Sequence, residues 1–213
     1  MLGRLLQGVI VSVVVAIVPA IGKPTALAKP QLWLLLVLGV LANLFQPSYK
    51  PFDRAAPTLD RGTALQNLWT CAFVQLLAVL EAIYVGYPTS FEWDVVATVS
   101  FSLMVMGLAV RTWAVFTLGR FFTWHVTVQE GQQVIRRGPY RYVRHPSYLG
   151  ALLTYFFGTT FLHAWISMCV ATIALPAAFF RRIKLEEVVL EQSLGQEYEN
   201  YCKEVPALIP GIR

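Results

Sequence analysis

Charge is what this sequence has least of. Asp, Glu, Lys and Arg make up 14% of its 213 residues, where a soluble domain carries about 25%. Hydrophobic residues make up 56%, and the mean hydropathy is +0.57. That balance excludes a disordered chain and argues against an ordinary soluble enzyme. Cysteine is also sparse: Cys71, Cys169 and Cys202, with no CxxC pair. Neither a disulfide framework nor a zinc cage is expected. The three histidines, His125, His145 and His163, stand far apart and no HExxH occurs, so no metal site is expected. A GxGxxG turn after a strand, a Walker loop and a Gly-x-Ser-x-Gly elbow are all missing. A nucleotide-like cofactor would therefore be held outside a Rossmann fold.

What the chain has instead is long apolar blocks with short polar breaks. Six stand out, at roughly 5–21, 31–46, 65–86, 94–118, 147–162 and 164–181. The expected fold is an all-α integral membrane protein of about six transmembrane helices, with five possible, at about 20 residues per span. The first block follows Arg4 and precedes Ala26-Leu27-Ala28, a signal-peptide-like pattern, and is read as a span. The fifth is only about 24 Å long at 1.5 Å per residue. With His163 and the sixth block directly behind it, it reads as a tight helical hairpin. Residues 1–93 form an N-terminal group of spans in this reading. Residues 94–213 form a second membrane part with a long polar loop, where any chemistry is expected, and a C-terminal amphipathic helix.

Charge placement sets the sidedness. All 17 Lys and Arg except Lys23, Lys29 and Arg111 fall at the N-terminus, in loops 46–64 and 119–146, or in the tail from Arg181. These are alternate loops and share one side. By the positive-inside rule both termini and the two long loops are cytoplasmic. Trp33, Trp93 and Trp165 then fall at the outer interface, Trp69 and Trp124 at the inner one. The net charge of +5 therefore suits anionic lipid headgroups rather than nucleic acid. Glu81 and Arg111 lie inside spans, where ionisable groups are functional candidates by default. Arg111 is the stronger candidate for facing a substrate.

Polar side chains concentrate at 119–148 and 181–213. The first stretch contains Gly119-Arg-Phe-Phe-Thr-Trp-His125 and Gln132-Gln133-Val134-Ile135. It ends in Gly138-Pro139-Tyr140 and Arg144-His145-Pro146-Ser147-Tyr148. Alternation of Val126, Val128, Val134 and Ile135 with polar residues predicts a short extended segment between turns. Pro146 suits the first turn of the fifth helix. The tail places Leu185, Val188, Val189 and Leu194 at helical spacing, an amphipathic helix continuing out of the sixth span. Arg182 and Glu186, four apart, share one face.

These motifs, in this order, resemble the isoprenylcysteine carboxyl methyltransferase family. The similarity covers about residues 100–213 and includes Arg182 to Glu187, Leu194-Gly195, Tyr198, Tyr201 and Leu208-Ile209-Pro210. It implies a membrane enzyme that uses S-adenosylmethionine to methylate the C-terminal carboxylate of a prenylated cysteine or another lipophilic acid. It further implies that Gln132, Gln133, Val134, Ile135, Tyr140, His145, Pro146, Ser147, Tyr148 and Glu186 hold the cofactor. Arg182 becomes the catalytic residue on the substrate carboxylate, with Arg111 and His125 as further substrate contacts. No metal and no nucleic acid are implied.

The chemistry is compatible with this. A free α-carboxylate, with pKa about 3.3–3.7, is ionised at pH 7. No general base is needed; positioning and removal of water are. A guanidinium can grip a carboxylate with two prongs. A phospholipid N-methyltransferase is the competing reading, with Glu187 as base for an amine. Further behind stand an NADPH-dependent membrane reductase and a non-catalytic lipid-binding protein.

Overall fold

A computed structural model describes residues 2–46 and 60–209. Lys50, Arg54 and Arg213, counted above toward sidedness, and Pro210 of the tail motif lie outside the described residues. Helix α1 spans Leu2–Ala16 and is followed by 3-10 turns at Val18–Gly22 and Pro24–Ala28. Then come α2 (Pro30–Leu44), α3 (Thr63–Leu80) with a π turn at Glu81–Val85, and α4 (Val95–Leu118). The remaining helices are α5 (Pro146–Phe161), α6 (Trp165–Leu194) and α7 (Gln196–Glu204). Proline opens α2 and α5, where its missing N–H costs nothing. Asp94 caps α4 by accepting from the Ala97 amide at 2.8 Å. Gly119 and Gly195 end α4 and α6 at φ +55°, which a side chain would strain.

All six expected apolar blocks are helical, but only four helical stretches combine spanning length with apolarity: Leu5–Gly22, Thr63–Val85, Val95–Phe121 and Trp165–Leu194. Helices α2 and α5, at 15 and 16 residues, reach about 22–24 Å at 1.5 Å per residue. A bilayer core is about 30 Å thick. As the helical spacing of the tail predicted, the sixth block continues past 181: α6 runs 30 residues to Leu194, with Pro176 inside it. The extended segment expected around 126–135 forms no strand among the described residues; it is irregular backbone with a turn in which Gln132 N donates to Gln129 O.

The alternate loops do gather at opposite ends of the bundle. At one end Tyr84 bonds Pro19 O, Lys23 bonds Ile83 O and Gln31 bonds Phe91 O. His163 meets Asp94 there at 3.2 Å. At the other end Arg182 meets Asp60, Arg181 meets Gln66, and Arg144 N bonds Pro206 O. Two glycines let α4 and α5 approach backbone to backbone. A Cβ on Gly150 would lie 2.5 Å from Gly107 O and 2.7 Å from Arg111 N.

Glu81 is structural rather than catalytic. Its buried carboxylate accepts from Ile166 N at 2.8 Å, Ser167 N at 2.7 Å and Ser167 Oγ at 2.6 Å. It thus caps the start of α6 from α3, with a negative charge at the positive end of the helix. Glu81→Ala is expected to lower stability by about 2–3 kcal/mol, through amides left unpaired in a buried site. Thermal unfolding in detergent checks this.

Candidate active site

The site forms where α6 leaves the bundle and the loop 119–145 folds back over it. Arg182 is its centre and is only 5% exposed. Its Nε donates to the Tyr148 hydroxyl at 2.7 Å. Nη1 donates to Asp60 Oδ1 at 2.8 Å and to Thr63 Oγ at 3.1 Å. Nη2 donates to Trp124 O at 2.7 Å. The two-pronged grip on a substrate carboxylate is therefore not available as the sequence suggested: the chain's own Asp60 already fills one side of the fork. One Nη2 hydrogen remains without a partner among the described residues.

Asp60 is the residue that sequence reasoning missed. It is 4% exposed and accepts from the amides of Ala64 at 3.2 Å and Val126 at 3.1 Å, as well as from Arg182. His125 Nδ1 lies 3.7 Å from its other oxygen. Asp60 stands just before α3, so locally it reads as an ordinary helix-start residue. That signal hid its tie to Arg182. Burial pushes the Asp60 carboxyl up, but the two amides and the guanidinium outweigh burial and hold it below the usual carboxylate range. Its contribution to stability is thus complete above the unfolded value of about 3.9 and is lost as pH falls through the depressed folded value. Acid melts in detergent are expected to show a drop in Tm below about pH 4 that Asp60→Asn lacks.

Glu186, one turn along α6, accepts from the Tyr148 hydroxyl at 2.5 Å. Tyr148 therefore links Glu186 to Arg182, and it stacks on the His145 ring at 5.6 Å. Glu187 faces a different group: it accepts from Arg144 at 2.7 and 2.9 Å and lies 3.1 Å from His145 Nε2. It is thereby committed to holding the motif in place. Arg144 also donates to the carbonyls of Cys202 and Val205, while the amides of Arg144 and His145 bond Pro206 O and Ala207 O. The tail is strapped along the Arg-His-Pro segment, and Tyr201 adds a bond to Tyr140 O at 2.6 Å. Burial pushes the Tyr140 phenol well above its usual range and Glu186 adds to this, so the group stays protonated at neutral pH.

Two cavities meet here. The smaller, about 100 Å³, is lined by Gln132, Gln133, Val134, Ile135 and Tyr140 from the loop, by His145, Ser147 and Tyr148 from the start of α5, and by Glu186 from α6. His125 and Arg182 also line it. Pro146 is buried without facing it. Arg111 lines the second, larger cavity of about 230 Å³, which runs between α1, α2, α3, α4, α5 and α6 and has mostly apolar walls. There Arg111 donates to Gln46 Oε1 at 2.8 Å and to Ser147 O at 3.0 Å, with its guanidinium 5.8 Å from the Trp124 ring. Phe122, Thr123, Ser147, Tyr148 and Arg182 belong to both cavities. Among the described residues no group of three His, Cys, Asp or Glu could hold a metal ion.

The model of the isoprenylcysteine carboxyl methyltransferase family matches residues 99–192. A protein of Oryza sativa subsp. indica named probable protein-S-isoprenylcysteine O-methyltransferase is 32% identical over 149 residues, 69% of this chain and 77% of that one. Protein-S-isoprenylcysteine O-methyltransferase B of Arabidopsis thaliana is 29% identical over 145 residues, 66% of this chain and 74% of that one. The uncharacterized protein YpbQ of Bacillus subtilis is 27% identical over 120 residues, 56% of this chain and 68% of that one. With its all-helical architecture and four apolar helices of spanning length, the chain belongs to the isoprenylcysteine carboxyl methyltransferase family, as an integral membrane carboxyl O-methyltransferase.

Proposed function

We propose that this enzyme uses S-adenosylmethionine to methylate the carboxylate of a prenylated cysteine, or of a similar lipophilic acid, at the cytoplasmic face of its membrane. The observation that carries the reading is the junction, at Tyr148 and Arg182, of a smaller cavity that gathers the site's polar side chains and a larger, mostly apolar one. A water-soluble cofactor and a lipid chain need different walls and one shared point.

The smaller cavity's lining suits the cofactor. Glu186 and the aromatic faces of Tyr140 and Tyr148 are groups that attract a cation. Val134 and Ile135 offer apolar contact, and Gln132 and Gln133 offer amides. When bound, the cofactor supplies a sulfonium methyl group for transfer to a carboxylate oxygen. Arg182 orients the acceptor through its remaining Nη2 hydrogen, as a one-pronged contact. Asp60, Thr63 and the Trp124 carbonyl hold the guanidinium still while it does so. Tyr148 keeps Glu186 turned toward the same point. No side chain has to remove a proton, because the acceptor arrives ionised. The competing amine chemistry finds no base in Glu187, which Arg144 and His145 occupy. It also meets Arg182, which repels an ammonium.

The test is transfer of labelled methyl from S-adenosylmethionine to N-acetyl-S-farnesylcysteine by detergent-purified enzyme, with the corresponding amide and phosphatidylethanolamine as comparison acceptors. Label in the acid alone is expected. Label only in the phospholipid would overturn the reading.

A further inference from the structure

An apolar chain reaches the larger cavity at least cost from the side, since wetting it becomes more unfavourable with every carbon. Most sides of the bundle are shut. Between α1 and α2, a Cβ on Gly8 would lie 2.8 Å from Asn43 Cβ, and one on Gly39 would strike Ser12 Oγ. Helices α4 and α5 touch in the same way at Gly107 and Gly150. Between α2 and α4, Gln46 accepts from Arg111, and Phe45 meets Phe116 edge to face at 6.3 Å. Between α3 and α6, Thr63 and Gln66 accept from Arg182 and Arg181. The cavity walls differ in the same sense. The residues of α2, α4, α5 and α6 that line it are all buried or partly buried. Val11 on α1 and Leu68 on α3 line it as well, yet they are 41% and 36% exposed. Leu68 lies five residues past Thr63, about 8 Å along the axis. Thr63 is bonded to Arg182, so this edge of α3 stands beside the site.

We infer that the acceptor's lipid chain enters sideways from the bilayer through the seam between α1 and α3, with Val11 and Leu68 as its rim. This rests on the reading of the acceptor as a lipophilic acid. Beyond the far ends of these two helices the chain is fastened, with Tyr84 donating to Pro19 O and Lys23 to Ile83 O. The seam can therefore part beside Arg182 while its other end holds. The rim is apolar, so the chain passes from lipid to cavity without meeting water. Neither α1 nor α3 falls within residues 99–192, which the family model matches. The N-terminal helices thus supply the way in, and the matched part supplies the chemistry. A passage of this kind sets the barrier to entry and exit and not the energy of the bound state. Narrowing it slows association and dissociation together, whereas loss of a contact in the bound complex appears in koff.

The experiment narrows the seam reversibly. Leu68→Cys enzyme in phosphatidylcholine vesicles is treated with benzyl methanethiosulfonate, which leaves a benzyl group on the new thiol through a disulfide, and dithiothreitol removes it again. Val11→Cys is the second variant on the rim. Val105→Cys is the control, on α4, 41% exposed and off the cavity wall. Wild type, with its own cysteines, is treated in parallel. Binding and release of N-acetyl-S-farnesylcysteine methyl ester are followed by stopped-flow tryptophan fluorescence, since Trp124 lines the cavity. In both rim variants kon and koff are expected to fall together about tenfold, with Kd changed by less than about threefold and both rates restored by dithiothreitol. Unchanged rates overturn the inference. A change carried by koff alone also overturns it, because the rim residues would then be contacts of the bound chain. Equal slowing in Val105→Cys overturns it too, as an effect of the bilayer on any modified helix. Failure of untreated wild type to bind the ester overturns the acceptor reading, and the inference with it.

Discussion

An Arg182→Lys enzyme is expected to bind S-adenosylmethionine at close to wild-type affinity yet transfer methyl groups about 10²-fold more slowly. The guanidinium serves four groups at once: Tyr148, Asp60, Thr63 and the Trp124 carbonyl. It still has a hydrogen to spare for the acceptor. A lysine has three donors at one point and cannot span that set. Its charge persists, so Asp60 stays paired and the fold is preserved; what goes is the fixed direction of the remaining donor. Calorimetry with the cofactor and a labelled-methyl assay read the two effects separately. A lysine variant of full activity would mean that Arg182 supplies charge and no orientation. Asp60→Ala is the companion change. It leaves the guanidinium buried and unpaired, and stability is expected to fall by about 3–5 kcal/mol. Thermal unfolding of this variant measures that loss, and an unchanged Tm would show that the ion pair holds nothing together.

Glu186→Gln is expected to raise the cofactor's Kd about 10- to 100-fold, the worth of a hydrogen bond or contact to a charged group. The acceptor's KM should stay as it is. Glutamine keeps the shape and an oxygen to accept from Tyr148, so the link to Arg182 survives. What is removed is the negative charge proposed to face a sulfonium. Isothermal titration with S-adenosylmethionine gives the effect directly. The product S-adenosylhomocysteine, which has no sulfonium charge, should be weakened much less. Equal weakening of both ligands would place the carboxylate on a neutral part of the cofactor.

Much of this molecule was legible before its fold. Six apolar blocks, with Pro146 at the first turn of the fifth helix, announced the helices, because apolar patterning and first-turn proline act within a few residues. Polar crowding in an apolar chain pointed to the stretch 119–148, and the family resemblance singled out Gln132 to Ile135, Tyr140, His145, Ser147, Tyr148 and Glu186, which line the smaller cavity. Less legible was how far each helix runs. The fifth block already read as short, at about 24 Å, but the apolar pattern did not say that α2, at 15 residues, falls short as well. Nor could charge placement distinguish Glu81, a cap on α6, from a functional carboxylate.

What lies beyond local sequence is pairing across distance. Asp60 and Arg182 are 122 positions apart, and Arg144 and Glu187 are 43. The partner of each buried charge is set by which loops the bundle brings to the same end, and no spacing rule reaches that far. Arg111 shows the same limit: as an intramembrane charge it was a candidate substrate contact, and the fold sets it against Gln46 and Ser147 on the wall of the larger cavity. Both cavities are gaps between helices, formed by how α1 to α6 pack rather than by any one segment. The sequence by itself determined the helices, their sidedness as two groups of loops and the chemical types at the site, since hydrophobicity and charge are properties of residues. Only the tertiary structure decided that Asp60 holds Arg182 and that a mostly apolar space opens onto it, since desolvated ion pairs and cavities exist only once distant surfaces have met.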